Sequence, residues 1–187
     1  WFNQKVVAET ILAYGFNHAE AARSFYFATK LDSTCAMAYW GYAYVLGPNY
    51  NAGMESDNYE RAYDAIQKAI ELSTDLSPKE QAMIIALSKR YTREAVEDRT
   101  SLDINYSEEL HDLSDKFPDD ADISALYAES LMNLHPWDLW EKDGRIKVWT
   151  PPIIAALDKA LLIDSNHIGA HHFYIHAVEM SQTPELG

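Results

Sequence analysis

Along this 187-residue chain the apolar positions recur at helical spacing. Ala21, Phe25 and Ala28 fall at i, i+4 and i+7, which is one face of a helix. Asp32, Ser33 and Thr34 interrupt the pattern, and Tyr39, Tyr42, Ala43 and Leu46 begin a new apolar face. Small residues at such positions let two helices approach closely, while large ones fill the groove between them. The stretch from Ala21 to Leu46 therefore reads as the second helix of one pair, a short turn, and the first helix of the next.

The same layout returns twice. Leu110, Leu113 and Pro118 run on into Ser124, Tyr127, Ala128 and Leu131. Leu157, Ala160 and Ser165 run on into His171, Tyr174, Ile175 and Val178. The spacing matches Phe25, Ala28, Ser33, Tyr39, Tyr42, Ala43 and Leu46, with tyrosines marking the register at 42, 127 and 174. A weaker middle copy is expected at Ala62, Ile66 and Ala69, then Ala82, Ile85 and Ala86, across a longer turn. Helices are predicted over 2–14, 18–31, 35–46, 57–73, 77–91, 106–116, 121–133, 151–164 and 167–180. Asp57 with Glu60, and Ser77-Pro78 with Glu80, are capping signatures. The charged run 93–103 reads as a helix end or a connector. Two insertions interrupt the scheme: GPNYNAGMESDN, rich in turn-forming residues, and a second carrying Trp137, Trp140 and Trp149.

A helical pair of about 34 residues with an Ala-x3-Phe-x2-Ala core, here Ala21, Phe25 and Ala28, resembles the tetratricopeptide repeat. Ser33 stands where that family usually has its turn proline, although Pro118 fills the later turn. The family's first-helix Trp, Leu, Gly and Tyr are matched here by Tyr39, Tyr42, Ala43 and Leu46. The likeness extends from about Trp1 to Ser181. It implies an all-α, right-handed solenoid of antiparallel helix pairs, about nine helices in a single domain over 1–187, with first helices lining a concave surface. AYGFNHAEAARSF, CAMAYWGYAYVLGPNYN, LHPWDLW and HHFYIHAVE more narrowly resemble a group of bacterial repeat proteins with no settled activity.

On that concave stripe, Trp40, Ala125 and His172 stand two positions before the marker tyrosines. Tyr44, Glu129 and His176 stand two after, and Gly47, Met132 and Glu179 five after. His172, His176 and Glu179 thus share one helical face. Two imidazoles and a carboxylate can hold zinc or another divalent transition metal, with His135 or Glu129 as a fourth ligand. They equally make a polar wall, because the spacing lacks a full motif such as H-E-x-x-H. Trp40 and Tyr44 are candidate groove contacts, as is Trp137 on its insertion. Asn49 and Asn51 are placed either to read a peptide backbone or to build their own turn. No glycine-rich phosphate loop, nucleophile elbow or Cys-x-x-Cys pair occurs in the sequence.

Charge narrows the partner. Fifteen basic against 29 acidic residues give a formal net charge of −14. Nucleic-acid binding rests on clustered Lys and Arg, so that class is excluded. A protein or peptide, including a basic one, or a cation is permitted, and the charge also serves solubility. A lone Cys35 excludes an internal disulfide and reads as a structural thiol. No apolar run is long enough to span a membrane, and no signal peptide is recognisable. The opening WFNQKVV and the closing TPELG read as cuts in a longer protein, which leaves further repeats, a removed signal peptide and the compartment open. The leading expectation is a non-enzymatic scaffold binding a protein or peptide on its concave face, without a cofactor. The rival is a metal-binding protein or metal-dependent hydrolase at His172, His176 and Glu179. A third reading is a subunit whose repeats only pack against other subunits.

Overall fold

The computed structural model describes residues 10–187, and among them the chain is all-α. The helix predicted over 2–14 lies mostly outside the described residues; within them, positions 10–14 are helical. There follow α1 (His18–Leu31), α2 (Ala36–Leu46), α3 (Asn58–Glu71) and α4 (Pro78–Ser88). Then come α5 (Thr100–Lys116), α6 (Ala121–Leu134), α7 (Thr150–Ile163) and α8 (Ile168–Val178), with a closing 3-10 turn over Pro184–Leu186. The chain forms two compact units divided between Tyr106 and Ser107, inside α5.

In the first unit α2 packs against α1, α3 and α4. Ten of its eleven residues are buried, as expected of a helix that is apolar all round. Gly41 permits the approach of α1, since a Cβ there would sit 2.2 Å from the Phe25 ring. Trp40 Nε1 donates to Met83 O (3.2 Å) and ties α2 to α4. α3 buries Tyr59, Ala62, Ala65, Ile66 and Ala69 along one stripe. The connector after α4 is fastened by a buried carboxylate. Asp103 accepts from Arg90 Nε (3.1 Å), Arg99 Nε (2.8 Å) and Arg99 Nη2 (3.1 Å). In the second unit α6 packs against α7 and α8, and α7 against α8.

The sequence repeat has a backbone counterpart at three turns. Asp32 N donates to Ala28 O, Phe117 N to Leu113 O and Asp164 N to Ala160 O, at 2.8–2.9 Å. Three residues later Cys35 N donates to Asp32 O, Asp120 N to Phe117 O and His167 N to Asp164 O, at 3.1–3.3 Å. Cys35, Asp120 and His167 then occupy the cap position of the next helix. Asp120 Oδ1 accepts from Ile123 N, and His167 Nδ1 from Ala170 N; these cap bonds satisfy donors that a helix start leaves open. The marker tyrosines also recur in role. Tyr42 meets Tyr26 (ring centroids 5.5 Å apart) and Tyr127 meets His111 (5.4 Å), in each case the residue sixteen positions earlier on the preceding helix. Partial burial raises the Tyr174 pKa, and Asp158, sixteen positions before it, adds its charge.

The middle copy departs from expectation. Ala62, Ile66 and Ala69 are fully buried, but the next cap is Ser77, which makes the turn one residue longer than the other three and one residue shorter than Ala82, Ile85 and Ala86 would require. Ile84 is therefore buried and Ile85 is 42% exposed, so the core positions of α4 are Met83, Ile84, Ala86 and Leu87. The capping box at Ser77 and Glu80 is formed, whereas Asp57 makes no side-chain cap bond. α5 begins six residues before the predicted Tyr106, because Asp103 is held by two arginines rather than by an apolar face.

Candidate functional site

The first unit carries an open groove of about 860 Å3 between α1 and α3, with α2 as its floor. Tyr39, Tyr42, Val45 and Leu46 come from α2. Ala22, Tyr26, Thr29 and Lys30 come from α1, and Asn58, Arg61, Asp64 and Ala65 from α3. Its polar groups are set by local bonds. Arg61 donates to Tyr42 OH through Nη2 (2.7 Å) and Nε (3.1 Å), and to Asn58 Oδ1 through Nη1 (3.0 Å). Lys30 Nζ stands 4.5 Å over the Tyr26 ring, a cation–π contact. Arg23 pairs with Glu20, and Asp64 with Arg93. These pairs engage the lining's one carboxylate and one of its three cations, which leaves Lys30 and Arg61 as the groove's cations outside ion pairs among the described residues, in a chain of net charge −14.

His18 closes one end. Its Nδ1–H donates to Val45 O (3.1 Å), with Asn49 Nδ2 3.3 Å from the same nitrogen. Its Nε2 is shut off from solvent and has no hydrogen-bond partner among the described residues. Burial lowers its pKa from 6.5 to about 4, helped by the charge of Arg90 and opposed by the Val45 bond. The imidazole is therefore neutral through the physiological range.

The residues singled out in the sequence are distributed as follows. Trp40 and Tyr44 stack with ring centroids 5.5 Å apart, and are only 3% and 1% exposed. They are core rather than an open surface, because helical register gives a face but not what covers it. Glu129 is also fully buried, accepting from Asn133 Nδ2 (3.2 Å). Asn49 builds its own turn: its Oδ1 accepts from Asn51 N (2.9 Å) and Ala52 N (3.1 Å). Asn51 is exposed at that turn.

Trp137, His172, His176 and Glu179 do come together, in the second unit. His172 Nε2 and His176 Nε2 face each other at 3.2 Å, and His176 Nδ1 lies 2.9 Å from Glu179 Oε1. The edge-on Trp137 ring is 6.1 Å from that of His176. Trp137 is 51% exposed and has φ of +59°, a left-handed backbone that few non-glycine residues adopt. Trp140 Nε1 donates to Ala177 O (2.7 Å) and ties the second insertion to α8, while Trp149 Nε1 donates to Asp138 O (2.7 Å) and Thr150 Oγ1 to Leu139 O (2.6 Å), closing the insertion on itself. His135 stacks on Trp149 with centroids 4.2 Å apart, and burial lowers its pKa. It and Glu129 are not drawn into a shared ligand set: among the described residues no group of three or more His, Cys, Asp or Glu is placed to hold one ion.

Sequence reasoning passed over Tyr26, Lys30 and Arg61. Lys30 and Tyr26 stand four residues apart on α1, a pairing that local spacing could have shown, whereas Arg61 meets Tyr42 from a separate helix. No helix among the described residues is long and apolar enough to cross a membrane. Compared with known proteins, the chain matches no family model, no curated protein and no solved structure.

Proposed function

We propose that this chain is a helical-repeat scaffold of the tetratricopeptide kind that binds an acidic segment of a protein partner in the α1–α3 groove. The groove and its lining carry the reading. Its floor and walls combine tyrosines, small apolar side chains and cations held on aromatic rings, and Tyr and Arg are among the residue types that dominate binding energy at protein interfaces. Its volume of about 860 Å3 is within the range of functional clefts, roughly 300–1,000 Å3. The three turns with the same backbone hydrogen bonds and the recurring tyrosine contact support the repeat reading. Charge complementarity selects the partner: Lys30 and Arg61 favour carboxylates at the groove, in a chain whose net charge otherwise repels acidic surfaces. Net charge alone also permits a basic partner; the lining cations favour an acidic one at this surface.

The test is a fluorescence-anisotropy titration with a labelled peptide of alternating aspartate and tyrosine, beside versions with lysine or serine for aspartate. The aspartate peptide should bind best, weaken with added salt, and lose at least tenfold in affinity on Lys30→Glu/Arg61→Glu, about 1.4 kcal/mol or more. Equal binding of all three peptides, or an unaffected double variant, would refute the proposed surface.

A further inference from the structure

The histidine pair on α8 is a separate feature, in the other unit, and rests on none of the groove argument. We propose that His172 and His176 chelate one divalent first-row transition-metal ion through their facing Nε2 atoms. Two imidazole nitrogens 3.2 Å apart are joined either by an N–H···N hydrogen bond or by an ion that both bind. A metal ion is the stronger of the two links. With metal–nitrogen bonds of about 2.0–2.1 Å and a tetrahedral angle, two ligand nitrogens stand about 3.3–3.4 Å apart. The observed separation is within a small side-chain adjustment of that value.

Glu179 does a different job from the one its position on the helical face suggests. Its Oε1 lies 2.9 Å from Nδ1 of His176, so the carboxylate accepts the Nδ1–H. That bond assigns the proton to Nδ1 and leaves the Nε2 lone pair turned towards His172. A ligating histidine held by a carboxylate through its other nitrogen is the usual orienting arrangement at metal sites. The i, i+4 spacing on a continuous helix keeps both rings on one face. Trp137, against His176, screens the pair on one side. Imidazole donors suit zinc, copper and nickel, with copper the tightest among these. Water completes the coordination.

The test titrates zinc or copper into the untagged, metal-stripped protein, followed by calorimetry and by the histidine ring signals in NMR. One ion should bind per chain, with the His172 and His176 signals moving first and Trp137 fluorescence quenched by copper. His172→Ala and His176→Ala should each lower affinity at least tenfold. Glu179→Gln, which keeps the side-chain size, should lower it about tenfold or more, while His111→Ala on the surface should leave it unchanged. The proposal fails if wild type binds no more tightly than the His172→Ala/His176→Ala protein, or if other histidine signals move first. The NMR arm needs only wild type, so it decides the matter even if an alanine variant does not fold.

Discussion

Gly41→Ala sets two opposed effects of known size against each other. In a helix interior alanine is favoured over glycine by about 1 kcal/mol, so the change would stabilise α2 if nothing touched it. The added Cβ, however, would lie 2.2 Å from Phe25 Cε1 and 2.5 Å from both Cδ1 and Cζ. Carbon atoms rest at about 3.5–4.0 Å, so the ring has to retreat by more than an ångström. Phe25 is fully buried, so the ring can retreat only within the core. Overpacking of this kind costs about 1–3 kcal/mol and sometimes more, and a rigid aromatic ring belongs at the upper end. The expected net effect is a loss of about 2 kcal/mol. The assay is native-state hydrogen exchange of the α1 and α2 amides, which reads the first unit without requiring both units to unfold together. Phe25→Leu supplies the control: combined with Gly41→Ala it should cost at least about 1 kcal/mol less than the sum of the two single changes. A Gly41→Ala protein as protected as wild type, or strict additivity with Phe25→Leu, would refute the packing argument.

Three other outcomes are expected. Since His18 has a pKa of about 4 when folded against 6.5 when unfolded, the unfolded chain binds more protons between those values. Stability is then full above pH 6.5 and falls by up to about 3 kcal/mol as the pH drops to 4; an NMR titration of His18 with a midpoint near 6.5 would contradict this. Asp103→Asn removes the carboxylate that Arg90 and Arg99 share around a guanidinium with no exposed surface, and should cost about 3–5 kcal/mol in urea unfolding, so a loss under about 1 kcal/mol would speak against its role. Ser77→Ala opens the capping box that begins α4 and should cost about 1 kcal/mol; unchanged amide protection at Glu80 would show that the box is not formed in solution.

What could be read from the sequence was what depends on neighbours along the chain. Phe25, Leu110 and Leu157 were placed in the core by spacing and are all buried to 1% or less exposure. His18–Leu31 was bounded correctly because Gly15 and Asp32 stand at its ends. The His172–His176 pair was legible because i, i+4 on a helix is local geometry. Register across a turn was less secure: the cap at Ser77 comes one residue earlier than the expected positions required, and the buried position is Ile84 rather than Ile85. The burial of Trp40 and Tyr44, the pairing of Asp103 with Arg90, and the groove itself depend on helices brought together by packing. Tyr26, Tyr42 and Arg61 are separated by sixteen and nineteen positions, and no periodicity marks them as one surface. Glu179 was on the right face, but which imidazole nitrogen it meets is a matter of side-chain rotamer.

The most direct test of the central claim is an unbiased one: selection of peptides from a random displayed library against the wild-type protein, with Lys30→Glu/Arg61→Glu protein selected in parallel. The account predicts that the wild type enriches peptides with Asp or Glu beside aromatic residues, that these compete with one another, and that the double variant fails to retain them. Enrichment of basic or purely apolar peptides, or the same acidic peptides held equally by the double variant, would contradict it.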